Sequence, residues 1–529
     1  MPLAPQRADV PVTIDESKCI DGCTLCVDMC PLDSLAIDES NGKAYMHVDE
    51  CWYYGPCAAR CPTGAVTVNA LPAPVRGPTP MKLKAFAALA TAALVLPLTA
   101  CGGSATTGAG STVTITVGYQ SKTINTVTAG TLLRSLGSFE KELKSLGDGT
   151  TYKVNWQDYA TGAPIAAQMT AGKIGIGSMG DFPLLINAVR GKQLGRPTRL
   201  VSVTGYNLRG GLNTIVTVPD SKLATLDDLR GMKVSTSIGS AADGTLVRAL
   251  QRAGIDPDKG IQKLNQQPAV GASALSAGST DALSQFVAWP GLLAFQGKAK
   301  ALYDGAALDL PTFHGVTARE DFAKKRPAVL EAFLRAQAEA TTYLHDHPLA
   351  AAQKVAKATD LPAEVVYLYN GAHGIATFDP ALKPQLISAL KKDVSVLKSA
   401  KLVGDVDVDA FVDDQYVKRA LGPTAYADQL AASPPPAASE VWPKGASSTR
   451  TFASPSALLH YVSSHRDAVR AAYVPDATTG TLWFADRAAW VADGSDLRPF
   501  VTAETARAYL AGHQGAHTIS YASALERAS

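Results

Sequence analysis

The sequence predicts a multidomain chain: an α+β cysteine-rich segment, a large α/β region and a small α+β C-terminal domain. Three observations carry that expectation. Seven of the eight cysteines fall between Cys19 and Cys61, and the eighth is Cys101. From Val113 onward, β-rich runs alternate with helical ones, a pattern that implies parallel α/β sheets. The stretch Ala431–Ser439, AASPPPAAS, then interrupts the alternation as a Pro/Ala/Ser linker. A length of 529 residues suggests three or four domains of about 150 residues each. With 46% hydrophobic and 18% charged residues the chain can build ordinary globular cores. A net charge of +2 gives no sign of a nucleic-acid or polyanion partner.

Residues 1–80 hold two cysteine blocks, CIDGCTLCVDMCP (Cys19, Cys23, Cys26, Cys30) and CWYYGPCAARCP (Cys51, Cys57, Cys61). Iron needs soft thiolate donors, and closely spaced cysteines on a tight loop can wrap a cluster. Ser34–Ile37 and Ala65–Val68 follow the two Cys-Pro ends and read as short strands. The paired blocks resemble a bacterial dicluster ferredoxin. That resemblance implies one [4Fe-4S] cluster on Cys19, Cys23, Cys26 and Cys61, and a second on Cys51, Cys57 and Cys30. Two departures stand out: Cys19-x3-Cys23 in place of an x2 spacing, and Tyr54 where the family has a cysteine. The second centre is therefore a [3Fe-4S] cluster, a labile [4Fe-4S] cluster with water or Tyr54 as a ligand, or absent. Zinc is the competing reading for such cysteines; a disulfide framework is disfavoured in a reducing compartment. The WYYGPCAARCPTGAV stretch is similar to small ferredoxin partners of adenylylsulfate-reductase-like flavoproteins, which implies a flavoprotein redox partner.

Residues 81–101, MKLKAFAALATAALVLPLTAC, have Lys82 and Lys84, an uncharged run from Ala85 to Ala100, and Cys101. This is the layout of a secretory signal peptide. The uncharged run of 16 residues is short for a stable membrane span, which takes roughly 20. Leu98–Cys101 resembles a lipobox, which implies a lipid on Cys101 that anchors the following chain to the outer face of the cytoplasmic membrane. Residues 102–111 read as a Gly/Ser/Thr tether. The expectation is a cytoplasmic first segment, an exported remainder, and two separate products or a cut before Cys101.

In 112–430 the sequence predicts a strand at Val113–Val117, a helix around Leu132–Leu146, strands at Tyr152–Trp156 and Ile174–Ser178, and helices from Pro327 to Ala358. Thr161 or Gly162 caps a helix with Pro164 in its first turn. GYQ, ATGAP, AGKIGIGSMGDFP, LDDLRGMKVSTSIGSAADGTL and GSTDALSQFVAWP occur in this order. Together they resemble the binding proteins for aliphatic sulfonates, taurine and nitrate. The resemblance implies a two-lobed type II periplasmic-binding fold, with a second lobe at about 218–305, that delivers a small anionic solute to an ABC permease and ATPase without doing chemistry. Helix N-termini attract anions through free N–H groups and the helix dipole. The expected solute contacts are Gln120, Thr161, Gly162, Ser178, Gly180, Gly239, Ser240 and Ala241, with Trp289 as a pocket wall or a core residue. For any one Ser or Thr, an ordinary helix cap is the competing reading.

Residues 431–446 read as linker and 447–529 as the last domain. TFASPSALLHYV, YVPDATTGTLWFADRAAWVADGS and FVTAETARAYLAGHQGAHTISYASAL resemble the NosL copper-handling lipoproteins, but the Cys-Gly-Met metal segment of that family is missing. His460, His465, His513 and His517 read as solvated surface residues or substitute copper ligands. The combined expectation is an extracytoplasmic solute-binding lipoprotein fused to an iron–sulfur electron-transfer module. The alternatives are an electron-transfer subunit of a flavoprotein oxidoreductase and a thiamine-precursor or copper-handling binding protein.

Overall fold

The computed structural model describes residues 12–28, 35–38, 40–46, 57–58, 61–68 and 112–529. The signal-like segment, Cys101, Cys30, Cys51 and Tyr54 lie outside the described residues. The chain forms two compact units: Met1–Thr112 with Gly149–Thr151, and Val113–Asp148 with Tyr152–Ser529.

In the first unit the strands are β1 Val12–Ile14, β2 Leu35–Ile37, β3 Ala44–Met46 and β4 Val66–Val68, with a short helix at Leu25–Asp28. The strands expected after each Cys-Pro are present as β2 and β4. They do not pair with each other: β1 pairs antiparallel with β4, and β2 with β3. Val12, Ile14, Cys26, Leu35, Ala44, Cys57 and Val66 form the core.

The second unit begins with β5 Thr112–Tyr119, β6 Thr151–Asp158, β7 Ile176–Gly180 and β8 Thr198–Asn207. Next come β9 Asn213–Thr217, β10 Lys233–Thr236, β11 Gln262–Asn265, β12 Ala282–Phe286 and β13 Lys300–Asp304. β14 Thr312–Arg319 and β15 Thr377–Phe378 follow. The first lobe is built on a sheet of order β15-β8-β14-β7-β5-β6, the second on β11-β10-β12-β9-β13. The chain crosses between lobes twice, from β8 to β9 and from β13 to β14. The second lobe therefore opens at Asn213, before the expected 218. Both sheets are mixed, where alternation suggested parallel ones. β5 and β7 are parallel, as are β10 and its two neighbours, but β14 and β9 run antiparallel to theirs. Each of those strands directly follows a crossing and enters its sheet from the opposite end.

The expected helix at Leu132–Leu146 is two helices, Thr131–Leu136 and Ser138–Lys144. Gly137 separates them with φ 68°, a left-handed backbone that glycine adopts without a side-chain clash. The helices Pro327–Asp346 and Pro348–Thr359 each start on a proline, whose missing N–H costs nothing in the first turn. Leu330, Phe333 and Leu334 pack on Ile115, Val117 and Phe139 of the first lobe.

The last region contains β16 Ser439–Pro443, β17 Arg450–Phe452, β18 Val469–Pro475, β19 Leu482–Phe484, β20 Ala489–Asp493, β21 Asp496–Phe500 and β22 His517–Ile519. They form sheets β17-β16-β18-β19 and β21-β20-β22. β16 falls inside the span read as linker, because Val441 and Trp442 are fully buried. The expected boundary at 447 therefore moves back to Ser439. This region does not stand apart from the lobes. Trp442, Tyr473, Trp483 and Phe484 share one core with Leu212, Val287, Leu349, Tyr367 and Tyr369. Upstream of β16, the fully buried Lys383 donates to the carbonyls of Gln429, Leu430 and Ala432, closing the C-terminus of the helix Pro423–Ala431.

Candidate functional site

Cys19, Cys23, Cys26 and Cys61 line one pocket with Ile20, Leu25, Pro62, Thr63 and Val66. All four are thiols without a disulfide. Burial, and next the charge of Cys19, push the Cys26 thiol up to about 11. At Cys61 burial also pushes upward, but the Thr63 hydroxyl at 3.6 Å and backbone N–H groups outweigh it and bring the thiol down to about 7. One of those N–H groups, from Ala65, donates to the sulfur at 3.2 Å. Donors of this kind tune thiolates bound to iron. Lys43 ties the Cys19 loop, bonding the Cys19 carbonyl and the Asp21 carboxylate, both at 2.5 Å. Among the described residues no three His, Cys, Asp or Glu side chains converge as a single metal ion would require. Four soft donors around a cavity fit an iron–sulfur cluster. Cys57 is buried in the core beside Cys26.

In the second unit, the expected first-lobe residues meet at the C-terminal ends of β5 and β7, where α/β sheets place ligands. Gln120 is buried, and its Nε2 donates to the Ser178 carbonyl at 3.1 Å. Gly162 lies so close to Met179 and Pro183 that a Cβ there would stand 2.8 Å from the Met179 side chain. Thr161 has extended backbone (φ −142°, ψ 171°) before the helix Gly162–Thr170, and its side chain makes no capping bond. The Ser178 hydroxyl is 1% exposed and has no partner among the described residues.

The other two helix N-termini are already met by carboxylates. Asp181 begins the helix Asp181–Gln193 and accepts from the N–H of Phe182 (2.8 Å) and of Phe313 (3.3 Å). Burial pushes its acid up to about 6, against the pull of those N–H groups. Ser240 caps the helix Ala241–Arg252 by accepting from the Asp243 N–H at 3.3 Å. Asp243 in turn accepts from the Gly239 N–H at 3.0 Å and pairs with Lys263 at 3.2 Å. Ser240 is thus an ordinary cap, and Gly239 donates inside the protein. Within this first turn, the N–H groups of Ala241 and Ala242 lack intrahelical partners. Trp289 is half-buried and packs against the second-lobe cluster of Val216, Leu275, Leu283 and Leu293. Asp281 braces the sheet by accepting from the Lys233 N–H at 2.8 Å.

The lobes touch where these ends face each other. The Phe182 ring lies on Gly244, where a Cβ would meet it at 2.0 Å, and Arg248 reaches across to Asp393 at 2.6 Å. Sequence reasoning missed the polar residues beside this contact. Buried Asn213, Thr236 and Gln285 sit at strand ends of the second lobe, each with side-chain atoms unpartnered among the described residues. His314 pairs with Gly180 across β14 and β7, and its Nδ1 is 2.6 Å from Asn125 Nδ2. Burial holds the imidazole neutral, with its pKa down to about 3. These side chains are neutral, so the arrangement offers amide and hydroxyl hydrogen bonds. In the last region His460 meets the Ala528 carbonyl, His465 stacks on Tyr461, His513 stacks on Tyr509, and His517 meets Arg527.

Comparison with known proteins agrees with both units. A 4Fe-4S dicluster domain model matches residues 18–65, and an NMT1/THI5-like model matches residues 190–351. An uncharacterized ferredoxin of Methanocaldococcus jannaschii is 43% identical over 59 residues, 94% of that protein and 11% of this chain. Through its first segment the chain belongs to the 4Fe-4S dicluster ferredoxins. The taurine-binding periplasmic protein of Escherichia coli K12 is 26% identical over 232 residues, 43% of this chain and 65% of that protein. The chain thus spans just under two thirds of that relative. The alkanesulfonate-binding protein of Xanthomonas axonopodis pv. citri, solved with MOPS, aligns with TM-score 0.50 and 22% identity, covering 58% of this chain and all of that one. The second unit has that two-lobed fold.

Proposed function

We propose that the second unit is the solute-binding component of an ABC importer for small sulfonate-like oxyanions, anchored outside the cytoplasmic membrane through Cys101. The first unit is an electron carrier on the cytoplasmic side, with Cys19, Cys23, Cys26 and Cys61 holding one [4Fe-4S] cluster that passes single electrons to a flavoprotein. One observation carries the solute reading: near the C-terminal ends of β5 and β7 the helix start at Thr161–Gly162 has no side-chain cap, and on β7 the buried Ser178 hydroxyl has no partner among the described residues. An oxyanion at that helix start satisfies its orphan N–H groups. The solute is captured between the lobes and released to a permease, and the unit performs no bond chemistry. A second reading, a neutral pyrimidine of the thiamine-precursor type, is favoured by the uncharged set Asn213, Thr236 and Gln285 and by the NMT1/THI5-like match. Thermal unfolding of the full chain separates them. A ligand at 100 times its Kd adds about 2.7 kcal/mol to native stability. Taurine and ethanesulfonate raise the melting temperature on the first reading; a pyrimidine alone raises it on the second.

A further inference from the structure

Two-lobed binding proteins work by hinge closure around a ligand, and the last region of this chain is built onto that hinge. The two crossings run between Asn207 and Asn213 and between Asp304 and Thr312. One loop of the last region reaches both. Asp476 shapes it, accepting from the N–H groups of Thr478 (2.7 Å), Thr479 (2.8 Å) and Val501 (2.6 Å). The Thr479 and Thr481 hydroxyls then donate to the Asp304 carboxylate at 2.9 and 2.7 Å. Asp304 is 2% exposed and ends β13 at the second crossing. In the first crossing, a Cβ on Gly211 would lie 3.2 Å from the Thr481 hydroxyl.

The same region holds each lobe separately. On the first lobe, Arg470 pairs with Glu364 at 2.7 Å, the Tyr473 hydroxyl donates to the Glu364 carbonyl at 3.0 Å, and the Tyr367 hydroxyl donates to buried Glu440 at 3.2 Å. On the second, the Phe484 ring stands 5.5 Å from Phe295, and Arg507 donates to the Ala224 carbonyl at 2.8 Å. One apolar cluster runs from Ile124 and Leu132 through Leu212 and Val287 to Trp442 and Phe484. Packed interiors switch between discrete arrangements and do not stretch. Rotation about the crossings must therefore break the grip on one lobe or the other.

We propose that residues 439–529 are a built-in brace that fixes the angle between the lobes and holds the unliganded protein with its lobes in contact. The consequence for solute affinity rests on the solute-binding reading; the brace itself does not. A braced receptor needs no further closure free energy from its ligand, so the ligand leaves slowly. The test needs no ligand: spin labels on non-natural amino acids at the exposed positions Gln193 and Lys259, one in each lobe, report the interlobe distance in the full chain. The expected result is one narrow distribution for the parent. A broader and longer one is expected for Thr479→Val with Thr481→Val, which removes both donors to Asp304. Arg507→Ala is the second variant, since it releases a surface contact with the second lobe. A parent that already shows separate open and closed distances, or two folded variants with the parent's distribution, overturns the brace. Failure of every solute to bind would overturn the functional reading and leave this measurement standing.

Discussion

His314 shows how a single buried residue sets a pH dependence that its surroundings in sequence do not announce. In the fold it is neutral, held down to about 3 by burial; in the unfolded chain an imidazole titrates near 6.5. Its contribution to stability is therefore present above about pH 6.5 and is lost as pH falls toward 3, at up to about 1.4 kcal/mol per pH unit. Asp181, pushed up by burial, acts in the opposite sense and favours the fold as pH falls. The difference between His314→Gln and the parent isolates the histidine. Unfolding in urea followed by tryptophan fluorescence is expected to give the variant a shallower loss between pH 6.5 and 4. Parallel curves would contradict it. At this scale the sequence was partly legible. Gly239 and Ser240 stood out as anion donors, yet Ser240-x-x-Asp243 also has the spacing of a helix cap, and in the structure Ser240 accepts from the Asp243 N–H while Asp243 accepts from the Gly239 N–H. Asn213 and Gln285 left no local signal, because a polar residue inside an apolar strand declares itself only when the strands are paired.

Among elements, the cysteine loops were the most legible, because ligand chemistry demands fixed residue types at close spacing. Cys19, Cys23 and Cys26 from one loop and Cys61 from a distant one line one pocket. The second cluster is left with Cys51, Cys57 and Cys30, with Tyr54 in place of a fourth thiol. A phenol is a hard donor and largely protonated near neutral pH, since its reference pKa is about 10. Anaerobic reconstitution of the full chain, read by iron content and electron paramagnetic resonance, is expected to give one stable [4Fe-4S] signal, with a [3Fe-4S] signal or nothing for the second centre. Tyr54→Cys is expected to restore two interacting [4Fe-4S] centres; two complete clusters in the unaltered chain would refute the ligand count. Helices and strands of the second unit were legible in kind, less so in extent. Gly137 cuts one expected helix in two through a left-handed residue. The Pro/Ala/Ser run hid β16, because proline-rich composition masked the buried Val441–Trp442 pair just beyond it.

For the whole molecule, the cysteine segment and the two-lobed region were readable because each has its own signal: cysteine blocks for one and strand–helix alternation for the other. What could not be read was that the last region shares an aromatic core with the two lobes, since that contact joins residues such as Tyr367 and Trp442 that are far apart in the chain. Among the described residues no helix is long and apolar enough to cross a membrane. A small oxyanion bound at the Thr161–Gly162 terminus, near the end of β7 that carries Ser178, is the central proposal. The most direct measurement is calorimetric titration of the full chain and of Ser178→Ala with ethanesulfonate, taurine, nitrate and a pyrimidine. The expected result is one-to-one binding of a sulfonate by the parent and a loss of about tenfold in Ser178→Ala, the worth of one charged hydrogen bond at about 1.5 kcal/mol. Binding of the pyrimidine with no heat from any oxyanion, or an unchanged affinity in Ser178→Ala, would contradict it.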